Sequence, residues 1–447
     1  MALTGVQIFK LLPKTNCKKC GFPTCLAFAM KLAQRQAEIS ACPDVSEEAK
    51  ATLGDASAPP VRGIMLGTGD KSVKMGEENV MFRHEKKFVN PCAIALNLSD
   101  TLSDDDLAAR AVEVAASEID RVGQKLRVDA VSVEFASGDA GKYADAVKLV
   151  ADKAPEAAII LNCTDPQAVE AAVKVVAARK PMIYGADEGN LDAMVALAKE
   201  HKLILGVSAD GIEAVMDLTK KAKEAGVDDI VIDTGAKTAK DIIEHNTQIR
   251  RSAIKKGVKE LGYPVINNCM RDDTMVEANV AAVAIAKYAS IILLNHIERW
   301  KNLALFTLRQ NIYTDPQVPM QVPQKVYEIS DPAADAPLLI TTNFSLTYFI
   351  VAGEVENSKV PTRLAVMDCE GLSVLTAWAA GKFTANKIAQ FINETEDFNA
   401  VSHKELVIPG QVAILSGALE DKLPGWKITV GPREANGLPA FLKNKTA

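Results

Sequence analysis

The sequence predicts a multidomain α/β protein: a small helical module, a central (β/α)8 TIM barrel, and a C-terminal Rossmann-like or flavodoxin-like domain. Three observations predict it. Half of the eight cysteines fall within Thr15–Cys42, at spacing C-x2-C-x4-C-x16-C. Eight short apolar runs then alternate with amphipathic helical patterns. Four further strand–helix units follow the Pro/Ala-rich stretch 331–337. The expected boundaries are 1–57, 58–325 and 326–447.

In the first module, Thr4-Gly-Val-Gln7 has the form of a capping box ahead of Val6, Ile8, Phe9, Leu11 and Leu12. Pro13 ends that helix. Cys17, Cys20 and Cys25 follow with Gly21 and Pro23 between them, as a tight loop wrapping a cluster requires. Leu26 to Ala37 reads as a helix that leads back to Cys42-Pro43. The reading favoured is a [4Fe–4S] cluster held by Cys17, Cys20, Cys25 and Cys42. Structural zinc and disulfides are the rivals; zinc prefers paired knuckles or histidines, and no histidine lies nearby.

Ala58-Pro59-Pro60 marks a linker. The strands expected beyond it are 92–98, 128–135, 157–163, 181–187, 203–210, 229–235, 263–269 and 290–296. Eight such strands with helices between them match a closed barrel better than an open sheet. Their C-terminal ends carry Asn97, Glu134, Asn162, Asp187, Asp210, Asp233, Asn267, Asn268 and Asn295. This ring has the donors and acceptors for a pterin-like heterocycle. The favoured reading is plainer: strand ends turn polar where they meet water. Cys92, Cys163 and Cys269 are expected to be buried thiols. The histidines His84, His201, His245, His296 and His403 are isolated and expected to be structural or solvated.

In the C-terminal domain the strand ends read Thr341-Thr342-Asn343, Cys369-Glu370-Gly371, Pro409-Gly410 and Gly431-Pro432-Arg433-Glu434. Small and hydroxylated residues there let backbone amides approach a ligand. No G-x-G-x-x-G is present, so a dinucleotide is not indicated.

Composition bounds the rest. The chain has 447 residues, 48% hydrophobic and 24% charged, with a net charge of −6. No basic block marks a nucleic-acid partner. The N-terminus lacks the form of a signal peptide, and no run of about 18 apolar residues marks a membrane span. A cytoplasmic location is expected, where clustered cysteines serve metals or redox chemistry.

"NCKKCGFPTCLAFAMKLA" with Cys42-Pro43, "TTNFSLTYF" and "EGLSVLTAWAAGKF" together resemble one family over essentially the whole chain. It is the large (gamma) subunit of the corrinoid iron–sulfur protein of the reductive acetyl-CoA (Wood–Ljungdahl) pathway. The resemblance implies a [4Fe–4S] domain, a barrel and a cobamide-binding domain. It implies a methyl carrier: cob(I)amide takes a methyl group from methyltetrahydrofolate on a separate methyltransferase, and methyl-Co(III) hands it to the nickel cluster of acetyl-CoA synthase. The implied partners are a small (delta) subunit forming a heterodimer, the methyltransferase, acetyl-CoA synthase/CO dehydrogenase and an electron donor such as ferredoxin. A related archaeal subunit uses a different pterin donor.

Carried over by position, Cys17, Cys20, Cys25 and Cys42 are the cluster ligands. The corrinoid contacts implied are Thr341, Thr342, Asn343, Thr347, Gly371, Leu372, Ser373 and Val374. Loop position extends them to Ser416, Gly417, Gly431, Pro432 and Arg433. The Asp-x-His-x-x-Gly motif that places imidazole beneath cobalt is absent, and His403 is the domain's only histidine. A base-off cobamide without a protein histidine ligand is therefore expected. Removing an axial donor eases reduction to Co(I), and a low-potential cluster offers the route by which a lost electron returns. The stretches 58–60 and 331–337 are expected to act as linkers for a swinging carrier domain. Two other readings compete. One is a pterin-dependent corrinoid methyltransferase acting through its own barrel. The other is a cluster-bearing scaffold without an organic cofactor.

Overall fold

The computed structural model describes residues 5–33, 37, 39–46, 49, 59–70, 72–122 and 124–446. Thr4, Ala58 and residues 34–36, on which parts of the sequence reading fall, lie outside them. The chain forms two compact units. One is Met1–Ile119 with Leu126–Tyr313; the other is Asp120–Lys125 with Thr314–Ala447.

The first unit begins with helices α1 (Gly5–Leu11) and α2 (Cys25–Ala33). Ile8 and Leu12 pack with Cys25, Phe28, Ala29, Leu32, Cys42 and Val45 in a small core of their own. A hairpin follows, β1 (Ile64–Leu66) and β2 (Val73–Met75). Next come barrel strand β3 (Ala93–Ser99) and helix α3 (Asp104–Ala116), which Ser103 caps. A second hairpin, β4 (Ile119–Arg121) and β5 (Gln124–Leu126), follows, and its residues Asp120–Lys125 belong to the second unit.

The remaining barrel strands are β6 (Ala130–Glu134), β7 (Ala158–Asn162), β8 (Met182–Ala186), β9 (Ile204–Ser208), β10 (Ile230–Asp233), β11 (Ile266–Asn268) and β12 (Ile291–Leu294). Their helices are α4 (Ala140–Lys153), α5 (Pro166–Val176), α6 (Leu191–His201), α7 (Ile212–Glu224), α8 (Ala239–Arg251), α9 (Thr274–Ala286) and α10 (Arg299–Tyr313). All eight strands are parallel in the order β10-β9-β8-β7-β6-β3-β12-β11, and a bridge from Ile232 to Val265 joins the two ends. Alternation sorts the side chains. Val131 and Val133 face the helices, whereas Ala95, Ala130, Ile160, Tyr184 and Val231 fill the barrel interior. Ile64, Leu66, Val73 and Met75 of the first hairpin join that interior core and so plug one end.

The second unit is a five-stranded sheet in the order β13-β15-β14-β16-β17. β14 (Leu338–Thr342), β15 (Thr362–Met367), β16 (Glu405–Ile408) and β17 (Lys427–Val430) are parallel. Among these four the order is second-first-third-fourth, the flavodoxin-like arrangement. Helices α11 (Ser345–Ser358) and α15 (Leu438–Thr446) cover one face. Helices α12 (Val374–Ala379), α13 (Ala385–Glu394) and α14 (Ser416–Lys422) cover the other.

Three sequence expectations fail here. The run from Ser373 to Thr395, whose apolar spacing reads as one helix, is two helices, because Gly381 takes φ +66° and Thr384 caps a new start. An antiparallel edge strand, β13 (Lys325–Ile329), pairs with β15 and was not expected. With β13 already in the sheet, the stretch 331–337 is a loop inside the domain and not a linker. The Arg363 guanidinium binds the carbonyls of Pro332 and Ala333, and Ser402 N–H donates to Ala334 O. Among the described residues no helix is long and apolar enough to cross a membrane.

Candidate functional site

In an open parallel sheet a ligand site forms where neighbouring strands send their connections to opposite faces. Here that point lies at the carboxyl end of β14. β14 pairs with β15 over five residues, but with β16 through the single pair Leu339–Val407. A cavity of about 390 Å³ opens there. Its walls are Thr341 on β14, Thr347, Ile350 and Val351 on α11, and Ser373, Val374 and Leu375 at the start of α12. Pro409, Gln411 and the turn Gly431–Glu434 complete them, and Leu339, Val407 and Leu438 form an apolar floor.

Thr341 is 1% exposed, and its Oγ1 has no hydrogen-bond partner; nor does Thr342 Oγ1. A buried hydroxyl without a partner costs about 1–3 kcal/mol, so native proteins seldom keep one without a reason. Thr341 faces the cavity. Gly410 makes the close turn possible: a Cβ there would lie 2.5 Å from Gly431 O and 2.8 Å from Arg433 N.

The sequence reading placed thirteen residues at this site. The structure brings seven of them onto the cavity: Thr341, Thr347, Ser373, Val374, Gly431, Pro432 and Arg433. Six others do not line it. Thr342 lies on the opposite side of β14 from Thr341 by strand alternation. Asn343 is spent on the backbone: Oδ1 accepts from Cys369 N (2.9 Å) and Gly371 N (3.0 Å), and Nδ2 donates to Asp368 and Gln321. Gly371 faces Pro319 and Gln321. Leu372 packs beside the core on the α12–α14 face, and Ser416 and Gly417 open α14 on that same side. Ile350, Val351, Leu375, Gln411 and Leu438 were missed. Their signal was present in part, since Ile350 and Val351 follow Thr347 at helical i+3 and i+4 spacing.

His403 sits far from this end of the sheet, before β16. Its Nε2 pairs with Ala336 O at 2.9 Å, and its Nδ1 accepts from Glu405 N at 3.1 Å. Both ring nitrogens are thus used by the loops at the amino ends of the strands.

The four N-terminal cysteines lie in one module. Cys17 is exposed, Cys20 half-buried, and Cys25 and Cys42 are buried in the small core. Lys14, Asn16 and Lys18 all take left-handed φ, between +49° and +62°, with Gly21 at +82°. Such strain in non-glycine residues concentrates at functional sites. Alternating left-handed residues turn successive N–H groups inward, the nest that receives anions and iron–sulfur clusters. Asn16 N–H donates to Cys25 Sγ at 3.4 Å, and its Oδ1 accepts from Cys25 N at 2.8 Å. Burial pushes the Cys42 thiol up, against a backbone hydrogen bond from Asp44 that lowers it. Among the described residues all eight thiols are free, and no three Cys, His, Asp or Glu side chains converge as a closed ligand set. Free thiols beside left-handed turns, with the Asn16 N–H donating to Cys25 Sγ, suit an iron–sulfur cluster, whose sulfurs accept amide bonds.

At the barrel mouth several polar side chains bond one another, although Ser132 Oγ, opposite Asn97 on β6, is also buried without a partner. Asn97 Nδ2 donates to Glu134 at 2.8 Å, and Asn162 Nδ2 donates to Asn97 Oδ1 at 3.5 Å. The Asp233 carboxyl, pushed up by burial, accepts from Tyr184 Oη (2.5 Å) and Gly235 N (2.9 Å). Asn267 belongs to no ring: it faces outward and binds Asn246 of α8. Asn268 accepts from Met270 N, Asp187 from Gly189 N, and Asp210 is exposed. Asn295 gives its N–H to buried Glu277. Cys92, Cys163 and Cys269 are buried as expected; burial pushes the last two up to about 12 and leaves them unreactive.

Comparison with known proteins sets the N-terminal module apart from the rest of the chain. The family described as CO dehydrogenase/acetyl-CoA synthase delta subunit matches residues 63–442, and one described as putative Fe-S cluster matches residues 12–43. The corrinoid/iron-sulfur protein large subunit of Moorella thermoacetica is 43% identical over 447 residues, 100% of both chains. The acetyl-CoA decarbonylase/synthase complex subunit gamma of Methanopyrus kandleri is 35% identical, covering 99% of this chain and 98% of its own. The chain therefore belongs to the family of the corrinoid/iron-sulfur protein large subunit and its archaeal decarbonylase/synthase gamma relatives.

Proposed function

We propose that this chain is the methyl carrier of an acetyl-CoA-forming system, with a cobamide in the C-terminal cavity and a [4Fe–4S] cluster on Cys17, Cys20, Cys25 and Cys42. The observation that carries the reading is the cavity at the β14 switch point, lined by a buried hydroxyl that has no partner of its own. At about 390 Å³ it is at the small end of ligand sites, ~300–1,000 Å³. It suits the nucleotide tail of a cobamide, with the aromatic base on the apolar floor and Arg433 near the phosphate. The macrocycle then lies outside, over Ile350 and Leu375, both about half exposed.

When bound, the cobamide supplies the metal that accepts a methyl group from methyltetrahydrofolate, through a separate methyltransferase, and yields it to the nickel cluster of acetyl-CoA synthase. The chain's own residues bind and orient. His403 is held at the other end of the strands, which supports a base-off cofactor without a protein imidazole. The cluster module serves reductive reactivation. The partners proposed are a small subunit, the methyltransferase, acetyl-CoA synthase and a low-potential electron donor, in the cytoplasm.

The rival reading, a methyltransferase acting through its own barrel, has less support, because Asn97, Glu134, Asn162, Tyr184 and Asp233 are already paired among themselves. Anaerobically purified protein decides between them. The expected result is a base-off Co(II) EPR signal, unchanged by His403→Gln, beside a reducible [4Fe–4S] signal that Cys42→Ser removes. Methyl transfer from methyltetrahydrofolate by the protein alone would favour the rival, and absence of both signals would overturn the proposal.

A further inference from the structure

The segment 319–324, just before β13, lies across the two loops that build the cavity. Its backbone pairs with the loop after β14: Val322 N–H donates to Asn343 O at 3.0 Å, and Ser345 N–H donates to Met320 O at 2.9 Å. Val322 is buried in the core beneath α11 and α15. Two glutamines extend the contact. Gln321 Oε1 accepts from Asn343 Nδ2 at 3.1 Å, and Gln324 Oε1 accepts from Asp368 N at 2.8 Å. Asn343 and Asp368 in turn hold the loop after β15, through the N–H groups of Cys369, Gly371 and Glu370. Gly371 is a glycine on this account: its φ is +72°, and a Cβ would meet Gln321 Cγ at 2.8 Å and Pro319 Cβ at 2.9 Å.

We infer that this strap is part of the ligand site, and that Gln321 and Gln324 are positioning residues for the cofactor. The walls they fix are Thr341–Thr347 on one side and Ser373–Leu375 on the other, which start within two residues of Asn343 and Gly371. Docking of the strap and occupancy of the cavity are then coupled, and coupling is reciprocal. A cofactor that needs both loops in place holds the strap down. A motion that peels the strap off loosens the grip on the cofactor. The inference rests on the proposed cobamide site.

The test uses the full-length protein freed of corrinoid and titrated with hydroxocobalamin by visible absorbance. Gln321→Ala/Gln324→Ala removes two neutral hydrogen bonds and is expected to weaken uptake about 5- to 30-fold. Gln390→Ala, on the surface of α13, is expected to leave it unchanged. The second readout is amide hydrogen exchange at Val322 and Ser345. Cobalamin is expected to slow it in the wild type, and much less in the double variant; a merely structural strap would exchange alike with and without cobalamin. Wild-type uptake with equal affinity in the double variant, or exchange indifferent to cobalamin, overturns the inference alone. No uptake by the wild type overturns the cobamide site and this inference with it.

Discussion

Replacing Thr341 by Val separates the two energies that its hydroxyl carries. Oγ1 is buried and has no partner within the protein, and a hydroxyl left unsatisfied costs about 1–3 kcal/mol relative to a satisfied group. Val has the same branched shape and the same preference for strands, so the change removes the penalty without a cavity. The ligand-free protein is expected to gain about 1 kcal/mol, a rise in Tm of about 4 °C for a domain of this size. The cobamide complex has the opposite balance. If the hydroxyl bonds the cofactor, Val forfeits about 0.5–1.5 kcal/mol, or about 2- to 13-fold in affinity. Thr342→Val is the internal control, because that hydroxyl is equally orphaned but lies off the cavity. It should stabilise the ligand-free protein and leave affinity alone. Calorimetry of the ligand-free protein and cobalamin titration of each variant supply both numbers. A Thr341→Val protein that is less stable, or that binds cobalamin as the wild type does, would refute the reasoning.

Gly410→Ala drives a Cβ into the Gly431–Arg433 backbone, and overpacking of that kind costs about 1–3 kcal/mol. It should lower Tm and cobalamin affinity together; a loss of neither would mean the turn is loose. Glu405 is raised by burial, but its bonds to Lys445, Thr429 and Lys427 outweigh that and bring it from its ordinary 4.5 down to about 2. A carboxyl depressed in the folded state stabilises above its unfolded value and loses that stability as pH falls through the folded one. Lys445→Met should therefore cost about 1 kcal/mol at pH 7 in chemical denaturation, screened by the partial exposure of the pair, and little near pH 2.

Much of the fold was legible because period and length agree in it. Runs such as Ala158–Asn162 are short, apolar and bounded by turn residues, so they read as buried parallel strands. The two hairpins were illegible for the converse reason: three-residue strands such as Val73–Met75 carry no period. β13 was hidden by Lys325 and Glu328 at an exposed edge, where alternation is weak. The break at Gly381 had a signal in Gly-Lys-Phe-Thr, but apolar spacing on both sides reads through it. At the site, the loops were legible and the facing of single residues was not. Thr-Thr-Asn at 341–343 places one side chain on the cavity, one off it and one in the backbone network. Only the strand's register and the long-range bonds to Gln321, Asp368, Cys369 and Gly371 decide which is which.

That difference also separates a site from a surface. The barrel mouth and the β14 switch point both present polar side chains at the carboxyl ends of parallel strands, and the sequence favours the second only through its small and hydroxylated loop residues. Bond accounting ranks them apart. At the mouth, Asn97, Glu134, Asn162, Asp233 and Tyr184 answer one another, and a ligand there must break protein bonds to make its own. At the switch point Thr341 has a donor with nothing to receive it, beside an open cavity with an apolar floor. For that reason the proposed cofactor site is placed in the C-terminal cavity rather than in the barrel, where a ligand would compete with existing bonds.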